Sequence, residues 1–462
     1  MFDPTHMIIL VSVLLALVFC GVHIAVSLGI TSLLGITSLL GIYLISGEVS
    51  TVISFASTTS YEALRDYVFA VIPLFMLMGE FLAKCGAASD LFSLINRLTK
   101  KVPGRLGVAT VLANAVFAFV TGVSIAAAAA FSKIAYPEMR RHGYERKFAL
   151  GCIAGSACLG MLIPPSVLMI VWGVLTEMAI GKLFIAGIIP GFIVVTFCIA
   201  YIIWVAKTDP ARVGEGDKLP PAQQAARDAN DLIEQQDLRT ILWSTLGILI
   251  LVVLVLGGIW LGAFTPTEGA GVGATLALIL ALLRGMKPPE MMAAILSVGR
   301  TSAPLLLLLV TAQLYSRVLA MTGVTGAAKD FFLASGLSPY AILAMMILVW
   351  FILGCIIDSI SIILLTVPVF APIATALGFD PIAFAIIGII AIETGLLTPP
   401  FGILVFTVKA AVTDEKDLST GEIFKGSVPY WIALLGAILA IVIFPQIATW
   451  LPNLGNAIAV VK

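Results

Sequence analysis

The segments GMLIPPSVLM at 160–169 and GLLTPPFGIL at 395–404 determine the architecture of this chain. Each places two consecutive prolines inside a long apolar run. Proline removes a backbone hydrogen bond and clashes with the preceding turn, so a Pro-Pro pair breaks a helix. We therefore expect one interrupted helix at 147–176 and another at 383–408, each with freed backbone carbonyls just before its prolines.

The two segments belong to an internal repeat with an offset of 235 residues. Besides the proline pairs, this offset relates Gly160 to Gly395, Pro137 to Pro372, Gly143 to Gly378, Tyr144 to Phe379 and Ser124 to Ser359. Each unit runs span, hairpin, interrupted span. Five membrane crossings separate the start of one unit from the start of the other, which predicts opposite orientations. Inverted repeats with paired interrupted helices are typical of secondary transporters that bind substrate at the bilayer midplane.

The composition is that of a polytopic membrane protein. Apolar residues make up 60% of the 462 residues and charged residues only 11%, against roughly 25% charged in soluble domains. Lysine plus arginine and aspartate plus glutamate both number 26, so no net charge points to a nucleic-acid or an acidic partner. The six cysteines show no CxxC or Cys/His spacing, so we expect neither a disulfide framework nor a zinc site.

Ten apolar stretches approach the roughly 20 residues that a spanning helix needs. They lie near 8–26, 28–46, 66–84, 147–176, 183–206, 240–261, 267–284, 302–322, 383–408 and 428–450. Most Lys and Arg residues fall in segments 84–105, 133–147, 207–239, 284–300 and 409–425. The positive-inside rule places these segments in the cytoplasm and both termini outside.

Two further apolar stretches must enter and leave on one side of the membrane. The stretch 106–132 has basic, cytoplasmic residues on both flanks and divides near 121–124, while 340–378 divides near 354–361. Two spanning helices would also return the chain, but arms of roughly 15–18 residues are short for a crossing. We expect re-entrant hairpins, whose non-helical tips must be covered by protein or water.

The predicted fold class is an all-α polytopic membrane protein with two inverted repeats, each containing a re-entrant hairpin and a Pro-Pro-broken helix. The predicted divisions are N-terminal scaffold helices at 1–65, a first repeat at 66–206 (hairpin 106–139, broken helix 147–176) that ends with a scaffold helix, a cytoplasmic connection at 207–239, scaffold helices at 240–301, a second repeat at 302–427 (hairpin 340–378, broken helix 383–408) and a C-terminal helix at 428–462.

The broken helices and the hairpin tips supply oxygen atoms for cations. Carbonyls freed at 160–163 and 395–398 suit a hard cation such as sodium, although a structural kink is the alternative. The hairpin tips add the hydroxyl, backbone and carboxylate oxygens of Thr121, Gly122 and Ser124 and of Asp358, Ser359 and Ser361. A carboxylate at membrane depth is costly and usually functional. Asp358 is equally suited to cap the following helix.

Other candidates for substrate contact are Pro164, Pro399, Glu393 and Arg317. Glu393 is suited either to line the site or to bond to a neighbouring helix, and Arg317 either to meet an anionic substrate or to snorkel to the interface. The chain contains no GxxxxGK[ST] and no HExxH. Asp358 has no evident catalytic partner, so we expect a transporter and not an enzyme.

The motifs GMLIPPS (160–166), GLLTPP (395–400), GCIIDSISI (354–362) and MLMGEFLAKCG (76–86) resemble those of the large, DctM-like membrane subunit of tripartite ATP-independent periplasmic (TRAP) transporters. The resemblance extends over nearly the whole chain. It implies sodium-coupled import of an organic acid, of the C4-dicarboxylate or sialic-acid type, across the bacterial inner membrane. The repeats would form an elevator domain that moves against a scaffold, with sodium as coupling ion and no other cofactor.

The resemblance also implies site residues and partners. A first sodium site falls on Thr121, Ser124, Gly160, Ile163 and Pro165, and a second on Asp358, Ser359, Gly395 and Thr398; the hairpin tips add Gly122 and Ser361. The expected partners are a periplasmic substrate-binding protein and a small four-helix membrane subunit, encoded separately because the sequence starts almost at its first span. The alternatives are a stand-alone sodium/organic-anion symporter and, from another class, a non-transporting membrane scaffold or receptor.

Overall fold

The computed structural model describes residues 12–14, 16–18, 20–39, 49–215, 238–413, 415 and 417–460. These residues form α-helices joined by short connections. Within the described ranges there is one isolated antiparallel bridge, between Tyr144 and Val213, and no strand. This part of the chain is therefore all-α, as the sequence predicts.

The helices are numbered here in chain order. Those before the segment 216–237 are α1 (Ile24–Leu39), α2 (Val49–Arg65), α3 (Val71–Lys84), α4 (Ala87–Leu98), α5 (Arg105–Thr121), α6 (Ser124–Arg141), α7 (Arg146–Ala157), α8 (Leu159–Leu162), α9 (Val167–Thr176) and α10 (Ile180–Thr208). A single 3₁₀ turn, Tyr67–Ala70, leads into α3.

The helices after that segment are α11 (Leu238–Trp260), α12 (Pro266–Leu283), α13 (Pro288–Met321), α14 (Val324–Ala334), α15 (Pro339–Gly354), α16 (Ser359–Ala376), α17 (Pro381–Gly395), α18 (Ile403–Ala411), α19 (Thr420–Ile443) and α20 (Gln446–Val460). Many begin at a capping side chain that satisfies a free backbone N–H group. The capping box of Thr265 and Glu268 starts α12, and Asp380 caps α17.

Seven helical stretches in the described residues are long and apolar enough to cross a membrane. They are Tyr67–Lys84, Arg146–Thr176, Ile180–Thr208, Pro266–Leu283, Pro288–Met321, Ser359–Ala376 and Thr420–Ile443. Shorter apolar helices include Arg105–Thr121, Pro339–Gly354 and Pro381–Gly395. The protein is therefore a multi-pass membrane protein.

Each Pro-Pro pair lies at an interruption in a helix. α8 ends at Leu162 and α9 begins at Val167, with Ser166 capping the new helix. In the second half of the chain, α17 ends at Gly395 and α18 begins at Ile403. Both Pro-Pro peptide bonds are cis. The prolines therefore divide each apolar segment into two half-helices.

Two pairs of helices correspond to the predicted hairpins. α5 and α6 pack on each other and are joined by Gly122 and Val123. α15 and α16 also pack on each other and are joined by residues 355–358. Asp358 caps α16, because its side chain accepts a hydrogen bond from the backbone N–H of Ser361 at 3.0 Å. The cap predicted as one role of Asp358 is present.

The helices pack in two groups. In the first group, α3 packs on α12 and α13, α13 also packs on α1 and α2, and α11 packs on α12. The second group contains α5 to α10 and α15 to α20. The short helices α4 and α14 join the groups, since α4 contacts α5 and α11 while α14 contacts α13 and α16. An ion pair between Asp90 and Arg284 fastens α4 to the end of α12.

The packing differs from the prediction for one helix, and another makes a close contact that was not predicted. We predicted a scaffold helix near 183–206, but α10 packs on α5, α17, α19 and α20 within the second group. α19 packs closely on α7, because a Cβ atom at Gly151 would lie 2.2 Å from the carbonyl carbon of Gly426. Glycine permits this backbone approach, a feature that hydropathy does not report.

Several predicted boundaries are wrong. α13 begins at Pro288, before the predicted 302, and α19 begins at Thr420, before the predicted 428. The predicted C-terminal helix is two helices, α19 and α20. The break predicted between the first two spans, near 27, lies at 20–23. Residues 40–46 of the predicted second span and 216–237 of the cytoplasmic connection lie outside the described residues.

Candidate functional site

The link between α5 and α6 sits directly against the first Pro-Pro break. Gly122 has φ +61°, and a Cβ atom there would lie 2.5 Å from the carbonyl oxygen of Pro165. Its own carbonyl accepts a hydrogen bond from the backbone N–H of Val167 at 3.2 Å. A Cβ atom at Gly160 would lie 2.9 Å from the backbone of Ser124. The structure therefore brings Gly122 and Ser124 together with Gly160 and Pro165.

The other two residues of the predicted first site lie at its margins. Thr121 is buried, and its hydroxyl donates to the carbonyl oxygen of Phe117 at 3.1 Å within its own helix. The Ile163 side chain is buried and approaches Gly191 of α10. Ser124 is fully buried, and its hydroxyl has no hydrogen-bond partner among the described residues.

The second predicted site is less closely assembled. Ser361 donates its hydroxyl to Asp358, so these two residues of the tip bond to each other. Gly395 contacts Gly354 at the end of α15, where an added Cβ would lie 2.7 Å from the Gly354 Cα. The Thr398 hydroxyl donates to the carbonyl oxygen of Thr394 at 2.8 Å. The closest backbone contact between this helix pair and the broken helix is thus at Gly354, which was not among the predicted site residues.

Glu393 lies between the tips of both helix pairs. Its side chain is 1% exposed, and its Oε1 accepts a hydrogen bond from the Ser359 hydroxyl at 2.9 Å. The Ser124 hydroxyl lies beside the same carboxyl group. The Cys158 thiol donates to the Glu393 carbonyl oxygen at 3.6 Å. Of the two roles predicted for Glu393, the structure shows the bond to a neighbouring helix.

Cys158 was missed, although the sequence contains a signal for it. Cys158 and Glu393 are 235 positions apart, the offset that relates the two Pro-Pro segments. Equivalent positions of the proposed repeats therefore touch each other.

The two Pro-Pro pairs have different surroundings. Pro164 and Pro165 are buried, whereas Pro399 and Pro400 are exposed together with Phe401. The break in α17–α18 is consequently the more accessible of the two, and Pro399 is available to a ligand in this conformation while Pro164 is not.

Arg317 is engaged elsewhere. Its guanidinium donates to Glu62 Oε2 at 2.5 Å and to the Thr59 hydroxyl at 3.1 Å, both on α2. Its side chain is 45% exposed. The structure does not bring Arg317 to the other candidate residues, because an acidic partner on α2 satisfies its charge. Sequence reasoning had no means of identifying that partner.

A cavity of about 600 Å³ lies between the two groups of helices, beside the place where Gly79 of α3 packs directly on the backbone of Thr121. Its walls come from α3, from α5 and α6, and from α13. Thr121 and Val123 line its inner end, and Lys133, Glu80 and Ser297 also line it. Glu80 is paired with Lys84 at 3.5 Å, whereas Lys133 has no ion pair among the described residues. The cavity therefore reaches Thr121 and Val123 of the tip and contains one cationic side chain, Lys133, without an ion pair among the described residues.

Residues 11–447 match the protein family described as the tripartite ATP-independent periplasmic transporter, DctM component. The chain belongs to this family. It is thus a TRAP large permease, a transporter component and not an enzyme, and a multi-pass protein of the bacterial inner membrane.

The chain is also similar to several named TRAP large permease proteins. The C4-dicarboxylate TRAP transporter large permease protein DctM of Pseudomonas aeruginosa is 34% identical over 85% of this chain and 88% of its own length. The sialic acid TRAP transporter large permease protein SiaM of Vibrio cholerae is 28% identical over 88% of this chain and 91% of its own length. The ectoine/5-hydroxyectoine permease UehC of Ruegeria pomeroyi is 30% identical over 85% of this chain and 87% of its own length.

The fold is also similar to that of a solved transporter. The YdaH transporter of Alcanivorax borkumensis superposes with a TM-score of 0.60 at 13% sequence identity, covering 87% of this chain and 89% of that one. At this identity the similarity concerns the fold alone.

Proposed function

We propose that this TRAP large permease imports an organic acid anion by sodium-coupled secondary transport, receiving it from a periplasmic binding protein. The observation that carries the proposal is the contact between the Gly122–Ser124 tip and the broken helix at Gly160 and Pro165. Such a contact places hydroxyl and backbone oxygens around a break in a membrane helix, which is where transporters coordinate sodium.

The proposed architecture is a pair of inverted repeats with re-entrant hairpins at α5–α6 and α15–α16. Their arms have 16 to 18 residues. At about 1.5 Å per residue they reach about 24–27 Å, slightly less than the roughly 30 Å hydrocarbon core, and the longest apolar arm, Ser359–Ala376, is at the lower limit of length for a crossing. The offset of 235 residues and the correspondence of the two Pro-Pro breaks support the repeat.

The proposed transport movement is of the elevator type. The second group of helices carries both tips and both broken helices, and a cavity beside its first tip is lined by α3 and α13 of the first group. In the predicted topology that cavity opens to the cytoplasm. The conformation therefore corresponds to an inward-facing state, in which Lys133 offers a positive charge to a departing anion.

The proposed sodium ligands are the residues selected from the sequence. The first site comprises Thr121, Gly122, Ser124, Gly160, Ile163 and Pro165, and the second comprises Asp358, Ser359, Ser361, Gly395 and Thr398. Movement of each net positive charge inward releases about 2.3 kcal/mol per 100 mV of membrane potential. A sodium gradient can therefore drive uptake without ATP.

The proposed substrates are C4-dicarboxylates or sialic-acid-type anions, because the relatives named above transport such acids by their names. Glu393 is buried and is not proposed to touch substrate. The proposed partners are a separate small membrane subunit and a periplasmic binding protein. The matched relatives called large permeases support the first, since this chain covers 88% and 96% of two of them.

The test is uptake of labelled organic acids into proteoliposomes that contain this chain and its small subunit. Uptake is measured with and without the binding protein, under an inward sodium gradient or with potassium in its place. We expect uptake only with both sodium and the binding protein. Sodium-driven uptake without a binding protein would favour a stand-alone symporter, and absence of uptake for every acid would favour a non-transporting scaffold or receptor.

A further inference from the structure

Glu393 is held by one residue from each candidate sodium site. Ser359 of the second site donates a hydrogen bond to its Oε1 at 2.9 Å, and Ser124 of the first site lies beside the carboxyl group. Glu393 Oε2 and Ser124 Oγ are both buried, and neither has a hydrogen-bond partner among the described residues, so each is free to bond to the other. The carboxyl group therefore spans the gap between the two tips.

The two serines are also the first residues of two helices. Ser124 begins α6 and Ser359 begins α16. A helix N-terminus carries roughly half a positive charge, so two of them together offset about one negative charge. Glu393 has no ion pair within the described ranges. Its position between two helix N-termini explains how a buried carboxyl group is tolerated there.

The surroundings of Glu393 are closely packed. A Cβ atom at Gly160 would lie 2.9 Å from the Ser124 backbone, and one at Gly395 would lie 2.7 Å from the Gly354 Cα. Close-packed interiors transmit small displacements instead of absorbing them. A shift of one tip when a cation binds must therefore move the Glu393 side chain, and with it the hydroxyl of the other tip.

We propose that Glu393 is a positioning residue that couples the occupancies of the two sodium sites. It does so by joining Ser124 of one tip to Ser359 of the other. The inference rests on the proposed sodium coupling and assigns a role that touches neither ion nor substrate. Its consequence is positive cooperativity, since sodium at one site pre-orders the tip of the other.

The test is a sodium titration of the purified full-length chain in complex with its small subunit, at constant ionic strength with potassium as replacement. The ring centroids of Trp172 and Trp350 lie 5.9 Å apart, and both rings contact Phe384 of α17, the helix that carries Glu393. Tryptophan fluorescence is therefore a suitable readout of changes around this helix. We expect the wild type to give a Hill coefficient clearly above one.

Two near-isosteric variants distinguish the polar link from Ser124 through Glu393 to Ser359 from a simple packing role of the Glu393 side chain. In Glu393→Gln, the amide oxygen accepts from Ser359 and the amide N–H donates to Ser124, so cooperativity should persist. In Glu393→Met, the volume is kept but the link is lost, and the Hill coefficient should fall to about one. The neighbouring Thr394→Val is the matched control, because the Thr394 hydroxyl bonds only within α17, to the Ile390 carbonyl at 2.6 Å.

A cycle of Ser124→Ala and Ser359→Ala covers the case in which Glu393→Met does not fold. Each single change and the double change are compared with the wild type by the half-saturating sodium concentration, with Glu393 in place. The factor for the double variant should differ at least about threefold from the product of the two single factors. Additive effects, or a Glu393→Met variant as cooperative as the wild type, would overturn the proposal. A wild type that responds to sodium with a Hill coefficient of one would also overturn it. A wild type with no sodium response would instead refute the proposed sodium coupling itself.

Discussion

The backbone of Gly122 and the carbonyl of Pro165 approach so closely that no side chain fits between them. A Cβ atom at Gly122 would lie 2.5 Å from the Pro165 oxygen, and its φ of +61° is one that other residues adopt only at a cost. The tip between α5 and α6 is therefore fitted to the first break by shape as well as by chemistry.

Gly122→Ala should abolish sodium-dependent uptake while leaving the protein folded. The added methyl group pushes the tip away from Pro165 and separates Ser124 from Gly160. Uptake into proteoliposomes and elution on gel filtration are the two measurements. Gly436→Ala is the control, because a Cβ atom there meets nothing within 4 Å. Equal uptake by Gly122→Ala and the wild type would remove this contact from the mechanism.

Asp358→Asn and Asp358→Ala distinguish the two roles predicted for Asp358. Asparagine is as good an N-cap as aspartate, whereas alanine loses the cap at a cost of roughly 0.5–2 kcal/mol. If the carboxylate is a sodium ligand, both variants should lose sodium-dependent uptake, and only Asp358→Ala should also lose thermal stability. Wild-type uptake by Asp358→Asn would show that Asp358 acts only as the N-cap of α16 and not as a sodium ligand.

Gly151→Ala should destabilise the protein by about 1–3 kcal/mol, the usual cost of overpacking. The new methyl group would meet the Gly426 backbone at 2.2 Å and force α7 away from α19. The thermal unfolding midpoint of the purified protein reports the change. Gly436→Ala on the same helix α19 again serves as control, and an unchanged midpoint for Gly151→Ala would show that the two helices separate without cost.

Because of Glu415, the free energy of unfolding should decrease as the pH falls into the acidic range. Burial opposes its ionisation, but the hydroxyl of Tyr136 at 2.5 Å and the charges of Arg140 and Arg146 outweigh this and hold its pKa below the ordinary value. Its contribution is therefore complete above the unfolded-state pKa of about 4.3 and is lost as pH falls through the lower folded-state pKa.

The measurement is the difference in unfolding midpoint between the wild type and Glu415→Gln. This difference should be constant near neutral pH and should shrink as the pH is lowered below about 4.3. A difference that grows on acidification would have the wrong sign and would contradict the assigned interactions.

Arg317→Gln should leave the substrate concentration for half-maximal uptake within about twofold of the wild type. Arg317 pairs with Glu62 on α2, with side chains 45% and 50% exposed, and exposed pairs contribute only about 0–1 kcal/mol. A uniform loss of affinity for anionic substrates would instead return Arg317 to the substrate site.

The sequence predicted the parts of the fold that depend on local chemistry. Two prolines in succession break a helix wherever they occur, so the breaks at Pro164 and Pro399 were predictable, as was the cap at Asp358. The close approach of Gly151 to Gly426 depends on which helices become neighbours, and no local pattern encodes that. For the same reason the partner of Arg317 and the position of α10 were not predicted.

In the candidate site, too, the local features were predictable from the sequence and the long-range contacts were not. The tip residues Gly122 and Ser124 were selected because glycine and hydroxyl side chains suit a covered turn at membrane depth. The meeting of Ser124, Ser359 and Glu393 requires three elements to converge from positions up to 269 residues apart in sequence. The offset of 235 residues contained a partial signal, because it relates Ser124 to Ser359 and Cys158 to Glu393.

The contact between Cys158 and Glu393 bears on the history of the gene. On the proposed repeat relationship, these positions descend from one residue of an ancestral chain that paired with a second copy of itself. A pair of identical chains would carry the same residue at both positions, so cysteine and glutamate could diverge only after the two copies were able to vary independently. On that relationship, the carboxyl group beside Ser124 and Ser359 belongs to one half of the chain alone, and the symmetry of the two tips is broken at this point.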